Sequence, residues 1–453
     1  MRYLKSFTFS CLIFLFVANT PANAQQNFDA RKLDDFLSVL EENNKFMGSV
    51  AILDGDEVLF NEAYGFIDDS EESANSETVY RIGSITKTYT AAIILKLEEE
   101  GKIDLAAKLS EFYTDIPNAD QISIENLLNH RSGLVNVTNV PEYSEYYTES
   151  VTHEEMLGRI KRYGTSFEPG EKYEYSNTGY ILLGYIIEDV TAMSYADVLK
   201  EFITDPLDLN RTYYGGEIST NRGEAYSFNY SPEGWKQTPQ TNMSIPHGAG
   251  AIVSTPTETA VFLNALFNGE LISEGSLEKM KDLKDGYGMG IVRIPFYDKY
   301  AWGHNGGIDG FQTTSGHFPE ENVTFVLFGN GFNYSLNDIS IGVLNILFGR
   351  EFEIPDFSEE PKQVQLSEQE MLAFTGSYSS EDISLKMEVF VESGVLKAQA
   401  SGQGAFPLTA YENGIMKFEQ AGITMVFENL VDDKFEEFEL QQAGQKYAYS
   451  RNE

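Results

Sequence analysis

Strand-like runs placed at both ends of a long helical stretch most constrain how this 453-residue chain can fold. Gly48-Ser-Val-Ala-Ile-Leu53 and Glu57-Val-Leu-Phe60 stand near the start, joined at Asp54-Gly55, a strong hairpin dipeptide. Strand character returns only after Tyr300, in Gln312 to Phe318 and Val323-Thr-Phe-Val-Leu-Phe328. Between them, apolar spacing predicts helices over Ser84 to about Glu100, Thr178 to Asp189 and Thr257 to Asn268, with Gly101 as a C-terminal stop for the first. An earlier helix within Phe28 to Phe46 gathers Leu33, Phe36, Leu37 and Leu40 on one face, and Asp338 to Leu347 reads as a closing helix. Strands of one core must pair, so the two ends are expected to meet in a single sheet flanked by helices, an α+β arrangement. Val135 to Ser150 is a loop rich in tyrosine, with Tyr143, Tyr146 and Tyr147.

Residues 353 to 370 are acidic and polar and carry Pro355 and Pro361, the composition of a linker. Beyond them, short runs such as Lys386-Met-Glu-Val-Phe-Val391 alternate with turns such as Glu412-Asn413-Gly414, which predicts a small all-β module. The first residues read as an export signal. Arg2 and Lys5 precede the apolar Cys11-Leu-Ile-Phe-Leu-Phe-Val17, and Ala22-Asn23-Ala24 supplies small residues for cleavage. The apolar run is too short to span a bilayer. The expected organisation is therefore a signal peptide over 1–24, a main domain over 25–356 and a β domain over 357–453, in an exported, periplasmic or extracellular protein. Cys11 is the only cysteine, so the mature chain has no disulfide available.

Net charge is −38, and removal of Arg2 and Lys5 takes it to −40. Nucleic acid is excluded as a natural partner, because phosphate binding needs clustered cations, and anionic lipid is disfavoured. An acidic, well-solvated surface suits an exported protein.

Three short patterns carry chemistry. In Tyr80-Arg-Ile-Gly-Ser-Ile-Thr-Lys87, a helix starting at Ser84 places Lys87 one turn later on the same face. A serine hydroxyl needs a partner to take its proton, and a buried lysine kept neutral can do so. The helix start adds free backbone N–H groups suited to an oxyanion. The same spacing in Ser276-Leu-Glu-Lys279 lies in a polar helix start and is read as a cap with a solvated lysine; Ser84 is followed instead by the buried run Ala91-Ala-Ile-Ile-Leu95. The second pattern is Tyr175-Ser-Asn177, a phenol to relay protons and an amide to orient a substrate. Its chance copy, Tyr411-Glu-Asn413, precedes Gly414 and reads as a turn. The third is His304-Asn-Gly306 within Ala301-Trp-Gly-His-Asn-Gly-Gly-Ile-Asp-Gly310, where glycines at a strand permit close backbone approach to a ligand.

Ser84-x-x-Lys87, Tyr175-x-Asn177 and His304-x-Gly306, in that order, resemble the three motifs of the penicillin-recognising serine hydrolases. That superfamily includes class C β-lactamases, DD-peptidases, D-aminopeptidases and related esterases. Leu127-Leu-Asn-His-Arg-Ser-Gly-Leu134 and Gly250-Ala-Ile-Val-Ser-Thr-Pro256 are similar to further signatures of the group, and the tail resembles the lipocalin-like modules that follow this domain. The resemblance covers about residues 30 to 350. It implies a β-lactamase/transpeptidase-like fold, with an antiparallel sheet flanked by helices and an all-helical part. It also implies an acyl-serine mechanism on amides or esters of D-amino acids or small acyl groups, or on β-lactams. Ser84 would be the nucleophile, and Lys87 its base or the group that sets the ionisation of Tyr175. Tyr175 would shuttle the proton, and Asn177 would bind the amide of the acyl side chain. The oxyanion would meet the N–H groups of Ser84 and Gly307. His304 stands where class C β-lactamases carry lysine, which removes a fixed positive charge for a substrate carboxylate and is more reminiscent of peptidases and esterases. The β tail is expected to shape access to the site.

Other readings fare less well. No Gly-x-Ser-x-Gly occurs, against an α/β-hydrolase, and His153-Glu-Glu is followed by Leu157 where a zinc protease needs histidine. None of the five histidines has ligand spacing, so no metal site and no cofactor are expected. His130 is read as structural, and Trp302 and the 143–147 tyrosines as packing or surface, with the lining of a substrate site as the lesser alternative. The partner expected is a small-molecule or peptide substrate. A non-catalytic binding or sensing protein on the same fold is the alternative.

Overall fold

The computed structural model of the protein describes residues 28–358, 361–442 and 445–452. The expected signal segment 1–24, with Cys11, lies outside the described residues. The principal helices are α1 (Ala30–Glu42), α2 (Thr86–Glu99), α3 (His153–Tyr163), α4 (Asn177–Thr191), α5 (Pro256–Phe267) and α6 (Leu336–Leu347). The main strands are β1 (Phe46–Asp54), β2 (Glu57–Tyr64), β3 (Val292–Phe296), β4 (Lys299–Ile308), β5 (Phe311–Phe318) and β6 (Val323–Phe332).

The two ends of the domain meet as the pattern predicts. β1 pairs antiparallel with β6, Val50 opposite Leu327, and the sheet runs β2-β1-β6-β5-β4-β3. The hairpin turn is centred on Gly55-Asp56, one residue later than expected. Asp54 still pairs with Glu57, and Gly55 takes the left-handed conformation at φ +55°. β1 and β6 read as unbroken apolar runs because both sheet faces are covered. Val50, Ile52, Phe325 and Leu327 pack under α1 and α6, while Ala51, Leu53, Val326 and Phe328 join the helical core on the other face. All four apolar residues expected on α1 point into the first of these cores.

A small three-stranded sheet sets up the functional face. Tyr80–Arg81 and Tyr213–Tyr214 flank Ile252–Ser254, so the approach to Ser84 lies beside the segment leading into α5. Arg81 then fastens this sheet to the tip of the β4–β5 hairpin. Its guanidinium donates to Asp309 Oδ2 at 2.8 Å and to the carbonyl of Thr241 at 2.8 Å, and both charged side chains are 2% exposed. The other carboxylate oxygen accepts from the Thr241 N–H and hydroxyl at 2.9 and 2.6 Å.

The C-terminal residues form a nine-stranded all-β near-barrel, from Gly376–Ser379 to Gln445–Arg451, around Tyr378, Met416, Met425, Phe438 and Tyr449. The stretch 353–370 is less linker-like than its composition suggests. Ile354 and Phe357 pack against the α1–α6 core, and a short helix, Glu368–Met371, begins at a Ser367–Glu370 capping box. No helix among the described residues is long and apolar enough to cross a membrane.

Replacing Arg81 with methionine leaves the Asp309 carboxylate buried without its cation. The expected cost is about 3–5 kcal/mol, read as a fall in the urea midpoint. The double variant Arg81→Met/Asp309→Asn, which removes both charges, is expected to recover most of that loss.

Candidate active site

Ser84 lies in the turn Gly83–Ile85 immediately before α2. Gly83 has φ +52°, and a Cβ there would stand 2.8 Å from the Gly307 nitrogen; a Cβ on Gly306 would stand 2.1 Å from the Ile82 carbonyl oxygen. The glycines of the third motif therefore admit the chain's own backbone, and β4 lies flat against the segment that carries the serine.

Lys87 follows one turn later and has no solvent exposure. Its Nζ is 2.9 Å from Ser84 Oγ, 2.8 Å from Asn177 Oδ1 and 2.8 Å from the carbonyl of Ala249. Asn177 opens α4, and its amide nitrogen donates to Thr138 Oγ1 at 2.9 Å, which fixes the carboxamide with its oxygen towards Lys87. Asn177 lines the cleft that holds Ser84, where a substrate amide is expected, and its oxygen is also engaged by the lysine. Tyr175 donates from its hydroxyl to Ser84 Oγ at 2.9 Å. The serine oxygen thus sits between an amine and a phenol. Burial pushes the two partners in opposite directions, Lys87 well below its ordinary value and Tyr175 above its own. Both shifts favour neutral forms.

His304 is buried beside this group rather than presented to the cleft as a cation. Its Nε2 meets the Tyr287 hydroxyl at 2.9 Å and its Nδ1 meets the Asn305 carbonyl. Burial, with a further push from Lys87, drives the ring down to about 3, so it is neutral at ordinary pH. His130 supports the site from beneath, as expected. Its Nδ1 accepts the Ser176 N–H at 3.2 Å, and its ring lies 4.2 Å from that of Tyr175.

Ser84 opens into a cleft of about 400 Å³ whose walls include Thr138, Tyr143, Tyr147, Thr241, Gly307 and Asp309. Tyr143 and Tyr147 line the cleft, the lesser of the two roles read for them, while Tyr146 and Trp302 are buried. Among the described residues no lysine, arginine or histidine lines the cleft, and the Asp309 charge is matched by Arg81. A neighbouring cavity of about 380 Å³ shares Asn229 with it, reaches Glu419 and Gln420 of the β tail and touches Asn305 of the third motif, but is not lined by Ser84, Lys87, Tyr175, Asn177 or His304.

The chance copies of the motifs stay apart from this centre. Lys279 pairs with Glu98 at 2.8 Å, and Asn413 forms a turn at φ +62°. Thr138, Arg81, Asp309 and Tyr287 were not singled out from sequence. Asp309-Gly310 is a turn dipeptide beside the third motif and was the one available signal. One group of potential metal ligands was not flagged by histidine spacing. His153, Glu188 and His247 bring one ligand atom each within 4.8 Å of one another. Spacing could not reveal this, because three separate elements supply them.

Comparison with known proteins agrees with this geometry. A penicillin-binding protein of Bacillus subtilis (strain 168) is 25% identical over 405 residues, covering 82% of this chain and 88% of that protein. The teichoic acid D-alanine hydrolase of Staphylococcus aureus (strain MRSA252) is 27% identical over 244 residues, 54% of this chain and 59% of the other. Among solved structures, D-amino acid amidase from Ochrobactrum anthropi SV3, complexed with D-phenylalanine, matches with TM-score 0.61 and 28% identity, covering 70% of this chain and 99% of that one. The β-lactamase family matches over residues 38–340, two thirds of the sequence, and the chain belongs to that family of serine hydrolases.

Proposed function

We propose that the protein hydrolyses amides or esters of D-amino acids or small acyl groups through an acyl-Ser84 intermediate. The observation that carries this is the convergence of Lys87 Nζ and Tyr175 Oη on Ser84 Oγ, each at 2.9 Å, with the lysine wholly buried. Lys87 is the base in this reading. Two acceptors, Asn177 Oδ1 and the Ala249 carbonyl, take two N–H groups, which leaves the lone pair of a neutral amine for the serine proton. Ser84 Oγ attacks the acyl carbon as that proton moves to Nζ. The N–H groups of Ser84 and Gly307 meet the oxyanion; Tyr175 hands its proton to the leaving group and takes in return the proton held by Lys87, which leaves both groups neutral again. Water then attacks the ester with Lys87 again as base, and Ser84 leaves with its proton restored. A non-catalytic sensor has no comparable need for a lysine deprived of solvent.

The cleft favours a leaving group without a carboxylate. Neutral His304 offers no fixed positive charge, and among the described residues no cation lines the walls. Tyr143 and Tyr147 suit an uncharged or ammonium-bearing acyl part. The named activities of the relatives, a D-amino acid amidase and a D-alanine hydrolase, support this substrate class. The Glu419–Gln420 turn lines the neighbouring cavity, which supports a part for the tail in shaping access. The N-terminal segment supports export.

Intact mass after treatment with a fluorophosphonate is expected to show one adduct per chain, absent in Ser84→Ala and kept in Ser276→Ala. An adduct that persists in Ser84→Ala would refute the nucleophile.

Because the base must be neutral, kcat/KM rises with pH as Lys87 loses its proton. The limb sits below the ordinary lysine range, as burial dictates. Tyr175→Phe is expected to lower the rate by about 10²–10⁴ without moving that limb, and Lys87→Ala to abolish it. A limb that vanishes in Tyr175→Phe would transfer the base role to the phenol.

D-Alanyl-D-alanine and its C-terminal amide differ only by the charge at issue. The amide is expected to have the higher kcat/KM, by about tenfold or more. Preference for the free carboxylate would sink the substrate assignment.

A further inference from the structure

Beside the cleft, a second polar cluster is built by elements far apart in the chain. His153 is the first residue of α3, Glu188 lies in α4, and His247 sits in the turn His247–Ala249. Glu188 Oε2 is 3.4 Å from His153 Nε2 and 3.8 Å from His247 Nε2. Bonds of about 2.1 Å at tetrahedral angles separate ligand atoms by about 3.4 Å, so the spacing suits one shared ion.

The orientation of each group is fixed from behind. Glu188 Oε1 accepts the Tyr195 N–H at 2.8 Å, which leaves Oε2 for the two imidazoles. The Tyr214 hydroxyl donates to the Met243 carbonyl at 2.9 Å and meets His247 Nδ1 at 2.9 Å. With its single hydrogen used on Met243, that hydroxyl can only accept, so the proton of His247 sits on Nδ1 and Nε2 carries a bare lone pair. His247 is 3% exposed, and Nε2 has no hydrogen-bond partner among the described residues. A lone pair and a carboxylate therefore face each other in a buried setting. A divalent cation satisfies both groups at once, and the buttressed histidine and carboxylate are the arrangement metal ligands adopt.

We propose that His153, Glu188 and His247 bind a divalent transition-metal ion of the zinc class, through both Nε2 atoms and Glu188 Oε2. Two imidazoles with one carboxylate suit zinc better than calcium or magnesium, which take oxygen ligands. His153 is half-exposed, so solvent can complete the coordination. The ion would tie α4, which opens with Asn177, to the turn that ends at Ala249. Those two residues hold Lys87, so the site is placed to brace the lysine. Binding itself does not depend on the hydrolytic assignment.

The test is calorimetric titration of zinc into the full chain, stripped with chelator and free of any histidine tag, with excess magnesium to occupy the acidic surface. One equivalent is expected to bind, and affinity is expected to fall at least tenfold in His153→Gln, whose half-exposed position leaves folding intact. Glu188→Gln is expected to weaken it as much, and cobalt in place of zinc to give the visible absorption of a tetrahedral site. Failure of the wild-type chain to bind, or equal binding by His153→Gln, overturns the proposal. Either result leaves the labelling of Ser84 untouched, so the two readings fail separately.

Discussion

The nitrogen of Lys87 has no contact with solvent, and three oxygens surround it at 2.8–2.9 Å. Two of them, on Asn177 and Ala249, can only accept. The third belongs to Ser84, which can accept or donate. A neutral amine, with two hydrogens and one lone pair, matches this set with the serine as donor; an ammonium matches it with the serine as acceptor. The pocket is thus complementary to both sides of a single proton transfer, with little rearrangement between them. Burial, which penalises the charged side, sets the balance towards the form that can take a proton. Thr138 matters for the same reason. By taking the Asn177 amide nitrogen it prevents a flip that would turn a donor towards the lysine.

Such an arrangement needs backbone held to within fractions of an ångström, and the fold supplies it by closure. The sheet joins the start and end of the domain through β1 and β6, so β4 is carried on a rigid frame. The glycines at 83 and 306 then let β4 touch the serine turn directly. Arg81 and Asp309 close the last gap, between that turn and the β4–β5 tip. A buried ion pair gives little net stability, so its value here is as a register lock on the cleft.

Much of this was legible in the sequence. The two-ended sheet followed from where strand periodicity starts and stops, and the motifs showed because each packs its chemistry into three or four residues. What joins the motifs left no local trace. Thr138 is an ordinary loop threonine until Asn177 meets it across the cleft, and Arg81 looks like any residue before a helix. His153, Glu188 and His247 each stand alone in sequence and converge only when α3 and α4 pack beside the 247 turn. The orientation of His304 was equally hidden. Its motif was plain, but nothing local says that Tyr287 and a carbonyl would claim both ring nitrogens.

That orientation has a consequence for specificity. A lysine at position 304 would bring a second ammonium close to Lys87, and each would depress the other. The neutral imidazole still feels Lys87, which helps hold its own titration down to about 3. His130, a third potential cation, is pushed well below its ordinary value by burial and then by the same lysine. Three basic groups therefore share one buried region in which only one can readily carry charge. Keeping the two imidazoles neutral leaves Lys87 as the basic group of this region in the proposed reaction. In the proposed reaction the same neutral imidazole leaves a substrate carboxylate without an anchor, so one residue bears on both the base and the leaving group.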